Sequence, residues 1–140
     1  MLRAILDVNV LVSATLTPGG TPHRLLERWE EGAFEIVVSA SLLGELERVL
    51  ARPELAARTD SSSIDALVKA LRSDAINVDD PPTERVVRRD AADDYFVALA
   101  RAAGVQAIVT GDRHLLELDD LRPPALEPRA FLALVEKLDG

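Results

Sequence analysis

Residues 5–12 read ILDVNVLV, an almost continuous apolar run broken only by Asp7 and Asn9. With the residues just before it, this run is typical of a strand buried on both faces of a sheet, so we predict a strand over residues 3–12. An aspartate in such a run is costly unless its carboxylate is paired, hydrogen-bonded or bound to a metal. Asp7 is therefore a candidate metal ligand. Its alternative role is to cap whatever follows, with Asn9 helping to satisfy the turn.

Outward from this run, helical and strand patterns alternate along the chain. The turn TPGGTP, residues 17–22, ends in a helix start, with Thr21 as the predicted cap and Pro22 at the first helical position. Ser39 or Ser41 caps a later helix whose leucines lie on one side. Predicted helices cover residues 21–32, the stretch from Ser39 or Ser41 to Leu50, residues 61–73, 90–103, a few residues after Asp112, and a last stretch from Pro128; predicted strands cover residues 34–39, 75–78 and 106–110.

This alternation predicts one α/β domain over residues 1–140, with a mostly parallel sheet covered by helices on both faces. Ligands of such folds bind beyond the carboxyl ends of the strands. Asp7 ends the first part of the apolar opening, residues 3–7, and Asp112 follows a later predicted strand, so they are expected at the same rim of the sheet although they are far apart in sequence. Asp112 has a strong alternative role, because Thr110-Gly111-Asp112 is also a good turn and helix cap.

The composition narrows the class of protein further. The chain has 140 residues, 48% of them apolar, which is enough for a sizeable core. It has no cysteine, which excludes disulfides and cysteine-ligated zinc and suits a cytoplasmic protein. No apolar run reaches the length of about 18 residues that a transmembrane helix needs. The net charge of −8 argues against a generic nucleic-acid coat, but it does not exclude a nuclease whose acids bind cations.

Other acids fall in two groups. Glu45 and Glu47 flank the leucine stripe of their helix at equal angles, so periodicity alone cannot choose between them, and a solvated helix flank explains either. Asp90, Asp93 and Asp94 crowd the start of another helix. The helix dipole stabilises negative charge there, but three acids in five residues exceed what capping requires. This excess indicates a bound cation.

Together, the acids predict a site made of oxygen ligands, which suits Mg²⁺ or Mn²⁺. The chemistry that needs such a site is hydrolysis of a phosphodiester, in which the cation activates water and stabilises charge on the phosphate. Zinc is a poor rival, because His23 and His114 are the only histidines and nothing in the sequence brings them together. His114 lies two residues past Asp112, close enough to contact substrate.

Four stretches of the chain, taken in order, resemble the PIN-domain family. They are LDVNVLVSA near the start, SASLLGELERVL in the middle, RRDAADDYFVALA later and VTGDRHLLEL near the end. The resemblance is to the bacterial and archaeal branch of toxins from toxin–antitoxin pairs, the VapC-like ribonucleases. It implies a three-layer α/β/α sandwich, an acidic pocket for Mg²⁺ or Mn²⁺, and endonucleolytic cleavage of RNA.

The same resemblance assigns roles to individual residues. The four acids of the family fall on Asp7, Glu45, Asp94 and Asp112, with Glu45 acting directly or through water and Asp93 as the substitute for Asp94. Many members carry a further acid where this chain has His114, which leaves a second metal position open. The resemblance and the positions beside the acids give the candidates for supporting the site or contacting substrate: Asn9, Ser13, Thr110, Arg113 and His114.

The resemblance also implies partners: an RNA substrate, a cognate antitoxin that covers the acidic groove, and a second copy of the chain in a homodimer. The sequence is also compatible with two other functions. One is a PIN-like binding module with little or no catalysis. The other is an acidic α/β phosphohydrolase of small molecules, which is weakened because Asp7-Val8-Asn9 lacks the second acid of an Asp-x-Asp motif.

Overall fold

The computed structural model describes residues 1–81 and 91–139, with the backbone alone for residues 91–94 and 139. Strands and helices alternate along most of the chain. The strands are β1 (Arg3–Leu6), β2 (Glu35–Val38), β3 (Ile76–Asn77), β4 (Ala107–Val109) and β5 (Ala125–Leu126). The helices are α1 (Val8–Leu16), α2 (Thr21–Glu30), α3 (Ala40–Leu50), α4 (Pro53–Ala56), α5 (Ser61–Asp74), α6 (Ala91–Ala103), α7 (Arg113–Leu116) and α8 (Pro128–Asp139).

The five strands form one sheet in the order β3-β2-β1-β4-β5, and every strand pair is parallel. From β1 the chain adds strands first on one side and then on the other, so the strand order reverses between β1 and β4. In open parallel sheets the crevice at such a reversal is where ligands bind. The pairing of Leu6 with Val109 brings the ends of β1 and β4 level at this crevice.

The core lies on both faces of the sheet. One cluster packs Leu6, Ile36 and Val109 against helices that include α1, α2, α3 and α8. The other packs Ile5 and Ile108 against α6 and α7. Residues next to each other on a strand point to opposite faces, and the apolar strands therefore supply both clusters. This arrangement confirms the prediction of a three-layer α/β/α sandwich with a parallel central sheet.

The second half of the predicted first strand is wrong. Residues 8–12 belong to helix α1, which begins after Asp7. The Asp7 side chain caps this helix, because its Oδ1 accepts a hydrogen bond of 2.6 Å from the backbone N–H of Asn9. Five of the nine helix residues are buried apolar side chains. A short helix with so many buried apolar residues cannot be told from a buried strand by periodicity alone, and its valines favour a strand on local preference.

Other differences are smaller. Helix α2 has Gly20, not Thr21, at its cap, and it ends at Glu30. The short helix α4 and the short strand β5 were not predicted. Asp90, at the start of the helix predicted over residues 90–103, lies outside the described residues. Within the described residues, no helix is both long and apolar enough to cross a membrane.

Candidate active site

A cavity of about 470 Å³ opens at the carboxyl end of the sheet, where the strand order reverses. Its walls come from the residues that follow β1 and β4, from one side of α3 and from the first half of α6. The lining residues are Asp7, Val8, Asn9, Ser41, Leu42, Glu45, Arg48, Val49, Arg52, Tyr95, Phe96 and Asp112. Three of the four acids singled out from the sequence, Asp7, Glu45 and Asp112, therefore share one cavity.

Asp7 lies between β1 and α1 and is only 8% exposed. Its carboxylate keeps a fixed orientation because both oxygens accept hydrogen bonds. The backbone N–H of Asn9 donates to Oδ1 and the buried hydroxyl of Thr110 donates to Oδ2, each at 2.6 Å. The Asp7 backbone N–H donates to the carbonyl of Val109, which extends the β1–β4 pairing by one residue. Both proposed roles of Asp7 are thus compatible, since capping occupies only part of what two carboxylate oxygens can accept.

Asp112 follows β4 and half-buries its side chain at the start of α7. It caps that helix, with Oδ1 accepting from the backbone N–H of His114 at 2.8 Å. Its own N–H donates to the Thr110 hydroxyl oxygen at 3.0 Å. One hydroxyl group, that of Thr110, therefore connects the two aspartates at the ends of neighbouring strands.

Glu45 lies on the side of α3 that faces the cavity, where Arg48 binds its Oε2 at 2.6 Å. Glu47 lies elsewhere and forms an ion pair with Arg72 of α5. The two glutamates could not be separated by periodicity, and the structure separates them: Glu45 lines the cavity that Asp7 and Asp112 share, whereas Glu47 binds the neighbouring helix.

Asp93 and Asp94 belong to the first turn of α6, and their side chains lie outside the described ones. The next two residues of that helix, Tyr95 and Phe96, line the cavity. Among the side chains that are described, no three acids or histidines lie close enough together to hold a metal ion. The donors that Asp7, Glu45 and Asp112 offer are all carboxylate oxygens, which is the ligand chemistry of Mg²⁺ and Mn²⁺.

The predicted supporting residues divide into two groups. Asn9 lines the cavity and Thr110 lies buried behind it, in contact with Asp7. Ser13 is exposed on α1, and Arg113 and His114 are exposed on α7; none of these three lines the cavity.

A network beside the cavity was not predicted. The hydroxyl of Tyr95 forms hydrogen bonds with Ser39 Oγ and, at 2.5 Å, with Asp80 Oδ1. Asp80 Oδ2 accepts from the backbone N–H of Ser41 at 3.2 Å. The network therefore joins α6 to the first turn of α3 and to the residues after β3. Its only sequence signal was the position of Tyr95 directly after Asp94.

Burial and hydrogen bonding change the acidity of this network. Burial, followed by the hydrogen bond to Asp80, raises the pKa of Tyr95 to about 12. Burial acts to raise the pKa of Asp80 as well, but hydrogen bonds from Tyr95, Ser39 and Ser41 outweigh it and lower that pKa below its ordinary value. Near neutral pH the pair is therefore a phenol donating to a carboxylate.

Two arginines of the cavity wall, Arg48 and Arg52, were also missed. The signal for Arg48 was available, because a residue three positions after Glu45 on a helix lies beside it. No comparable signal existed for Arg52, which follows the end of α3 and precedes α4.

Comparison with known proteins identifies the family. Residues 3–114 match the PIN domain family, which is most of the chain and includes all four predicted acids, and the chain belongs to that family. It is 27% identical over 119 residues to the uncharacterized protein MJ1680 of Methanocaldococcus jannaschii, covering 85% of this chain and 76% of the relative.

Two solved structures are similar in fold. The crystal structure of PAE2754 from Pyrobaculum aerophilum superposes with a TM-score of 0.65 at 18% identity, covering 97% of this chain and 90% of the other. The crystal structure of FitAcB from Neisseria gonorrhoeae superposes with a TM-score of 0.52 at 18% identity, covering 90% of this chain and 98% of the other. At this level of identity the two structures support the fold and carry no residue roles.

Proposed function

We propose that this chain is a metal-dependent endoribonuclease that hydrolyses phosphodiester bonds of RNA. The observation that carries the proposal is the convergence of Asp7, Glu45 and Asp112 on one cavity at the strand reversal of a PIN-domain sheet. Burying an aspartate such as Asp7 without a cationic partner is costly. Among the described residues its carboxylate has hydrogen-bond donors but no arginine or lysine partner. A divalent cation would supply the missing positive charge.

The residues that would hold Mg²⁺ or Mn²⁺ are Asp7, Asp112 and Asp94, with Asp93 as the alternate and Glu45 acting directly or through water. When bound, the cation would acidify a water molecule and stabilise the negative charge that builds up on the phosphate. The remaining contribution comes from the chain itself. Thr110 and the Asn9 N–H hold the Asp7 carboxylate in one orientation, so little reorganisation is needed when substrate enters.

The first test is cleavage of a pool of single-stranded and structured RNA by purified protein with Mn²⁺, with Mg²⁺ and with chelator. Asp7→Asn should abolish cleavage and still fold, because asparagine also caps helices. Asp65→Asn is the matched control, since Asp65 is exposed on α5 and does not line the cavity. Metal-dependent cleavage that is lost only in Asp7→Asn supports the proposal. Equal rates in the two variants would remove Asp7 from the mechanism, and a folded protein with no cleavage would favour a PIN-like binding module.

We further propose that this nuclease is the toxin of a toxin–antitoxin pair, works in the cytoplasm as a homodimer, and is inhibited by a cognate antitoxin. The resemblance of its sequence motifs to toxins of that branch supports this role. Induced expression of the wild type in bacteria should slow growth, and Asp7→Asn expressed to the same level should not. Normal growth of bacteria that contain active wild-type protein would contradict the toxin role but not the proposed ribonuclease activity. Light scattering of the purified protein tests the dimer.

A further inference from the structure

Arg48 and Arg52 place two positive charges on the wall of an acidic cavity, in a chain whose net charge is −8. Arg48 lies on α3, and Arg52, four residues further along, occupies the N-cap position of α4 without a capping hydrogen bond from its side chain. Both are exposed at the cavity mouth. Arg113, the candidate from the sequence, does not line this cavity. Among the described residues, the positive charges on the wall of this cavity therefore come from Arg48 and Arg52.

The two arginines differ in their present partners. Arg48 binds Glu45 at 2.6 Å, and the two side chains are 70% and 47% exposed. Exposed ion pairs of this kind contribute little to stability, so their members exchange partners easily. The Arg52 side chain makes no hydrogen bond or ion pair with the residues described. Arg52 is therefore ready to bind an anion, whereas Arg48 must first leave Glu45.

We propose that Arg48 and Arg52 bind phosphates of the RNA strand beside the scissile bond, and that Glu45 holds Arg48 until RNA enters. This inference rests on the proposed ribonuclease function and adds the residues that bind its substrate. Arginine suits the role because its planar guanidinium forms paired hydrogen bonds to phosphate oxygens. The exchange has a second consequence: when Arg48 moves to phosphate, it frees the Glu45 carboxylate for the catalytic site.

The direct test is RNA binding without cleavage. Fluorescence anisotropy of a labelled single-stranded RNA in chelator gives the affinity of wild type, Arg48→Ala and Arg52→Ala at several salt concentrations. Each lost phosphate contact should reduce the slope of log affinity against log salt by about 0.7. Arg58→Ala is the matched control, because Arg58 is exposed and does not line the cavity. Thermal unfolding of each variant checks that the fold is retained.

The exchange of Arg48 is tested with Glu45→Gln, which should bind RNA more tightly in chelator because Arg48 is released. Simple loss of a repelling charge would give the same gain whether Arg48 is present or not. The gain in affinity from Glu45→Gln should therefore be smaller in the Arg48→Ala background than in the wild type. A double-mutant cycle measures this difference. Glu47→Gln should give no gain, because its partner Arg72 does not line this cavity.

The outcomes separate this inference from the proposed function. Salt slopes in Arg48→Ala and Arg52→Ala that equal the slope in Arg58→Ala would overturn the inference, and metal-dependent cleavage by the wild type would still support the nuclease. An undiminished gain in the double variant would overturn the exchange. Failure of the wild type both to bind and to cleave RNA would overturn both proposals.

Discussion

The hydroxyl of Thr110 donates a hydrogen bond of 2.6 Å to Oδ2 of Asp7, across 103 positions of sequence. The same hydroxyl oxygen accepts a hydrogen bond from the backbone N–H of Asp112. Thr110 therefore fixes two acids of the cavity relative to each other from a fully buried position. Residues that touch neither substrate nor metal can hold a site in this way, through the geometry of the carboxylates that they contact.

We predict that Thr110→Val lowers the rate of RNA cleavage at least tenfold, whereas Thr110→Ser keeps it near wild type. Valine preserves the shape but leaves Oδ2 of Asp7 without its donor and the Asp112 N–H without its acceptor, which costs about 1–3 kcal/mol of stability. Serine keeps the hydroxyl and loses one buried methyl group, worth about 1 kcal/mol. Urea unfolding followed by fluorescence of the single tryptophan, Trp29, measures stability, and single-turnover cleavage measures the rate. Equal activity in the two variants would contradict the role of the hydroxyl.

Glu45 and Glu47 allow a comparison on one helix. Glu45→Gln should reduce the cleavage rate at saturating RNA at least tenfold, because it removes a carboxylate from the cavity. Glu47→Gln should leave that rate unchanged. It should cost at most about 1 kcal/mol of stability, because the Glu47–Arg72 pair is largely exposed. Single-turnover cleavage and urea unfolding provide the two measurements. A larger activity loss in Glu47→Gln than in Glu45→Gln would reverse the assignment.

The sequence predicted the class of fold well because the signals for it are local. Apolar runs marked β2 and β4, and capping residues marked several helices, so their order along the chain was sufficient for a parallel sheet with helices on both faces. The first strand was overextended because all of residues 8–12 except Asn9 are buried in a helix, and so short an apolar stretch does not distinguish a buried helix from a buried strand. The short β5 was missed because two residues carry too little pattern to detect.

The site was predictable only in part, for a related reason. Asp7 and Asp112 were recognisable because a charged residue at the end of a buried strand lies at the carboxyl edge of any parallel sheet. The positions of Arg52 and Asp80 beside the cavity depend on how segments distant in sequence pack together, which no local pattern encodes. The hydrogen bond between Tyr95 and Asp80 likewise joins two segments that are 15 residues apart.

Truncation of Phe131 should strongly lower stability, because Phe131 belongs to the apolar cluster that packs α8 against the sheet. Its ring is fully buried on α8 and packs edge-to-face on Phe34, with ring centroids 5.1 Å apart. Phe131→Ala should cost about 3–5 kcal/mol through lost burial and a residual cavity. Leu138→Ala on the same helix is the control, because Leu138 is 64% exposed and should change stability by about 0.5 kcal/mol or less. Urea unfolding that gave similar losses for both would contradict the packing of α8.

Tyr95 gives a prediction that concerns pH. It is the only tyrosine of the chain, so tyrosinate absorbance reports its titration alone, and the midpoint should lie at about pH 12 in the folded protein. Asp80→Asn should lower this pKa but keep it above the ordinary value of 10, since burial remains.

The raised pKa of Tyr95 also makes stability depend on pH. The unfolded chain ionises first as pH rises, so the free energy of unfolding should be unaffected by Tyr95 below pH 10 and fall between pH 10 and 12. Tyr95→Phe should remove this part of the decline, which urea unfolding at each pH can measure. An ordinary pKa near 10 in the folded wild type would contradict the network that joins α6 to α3.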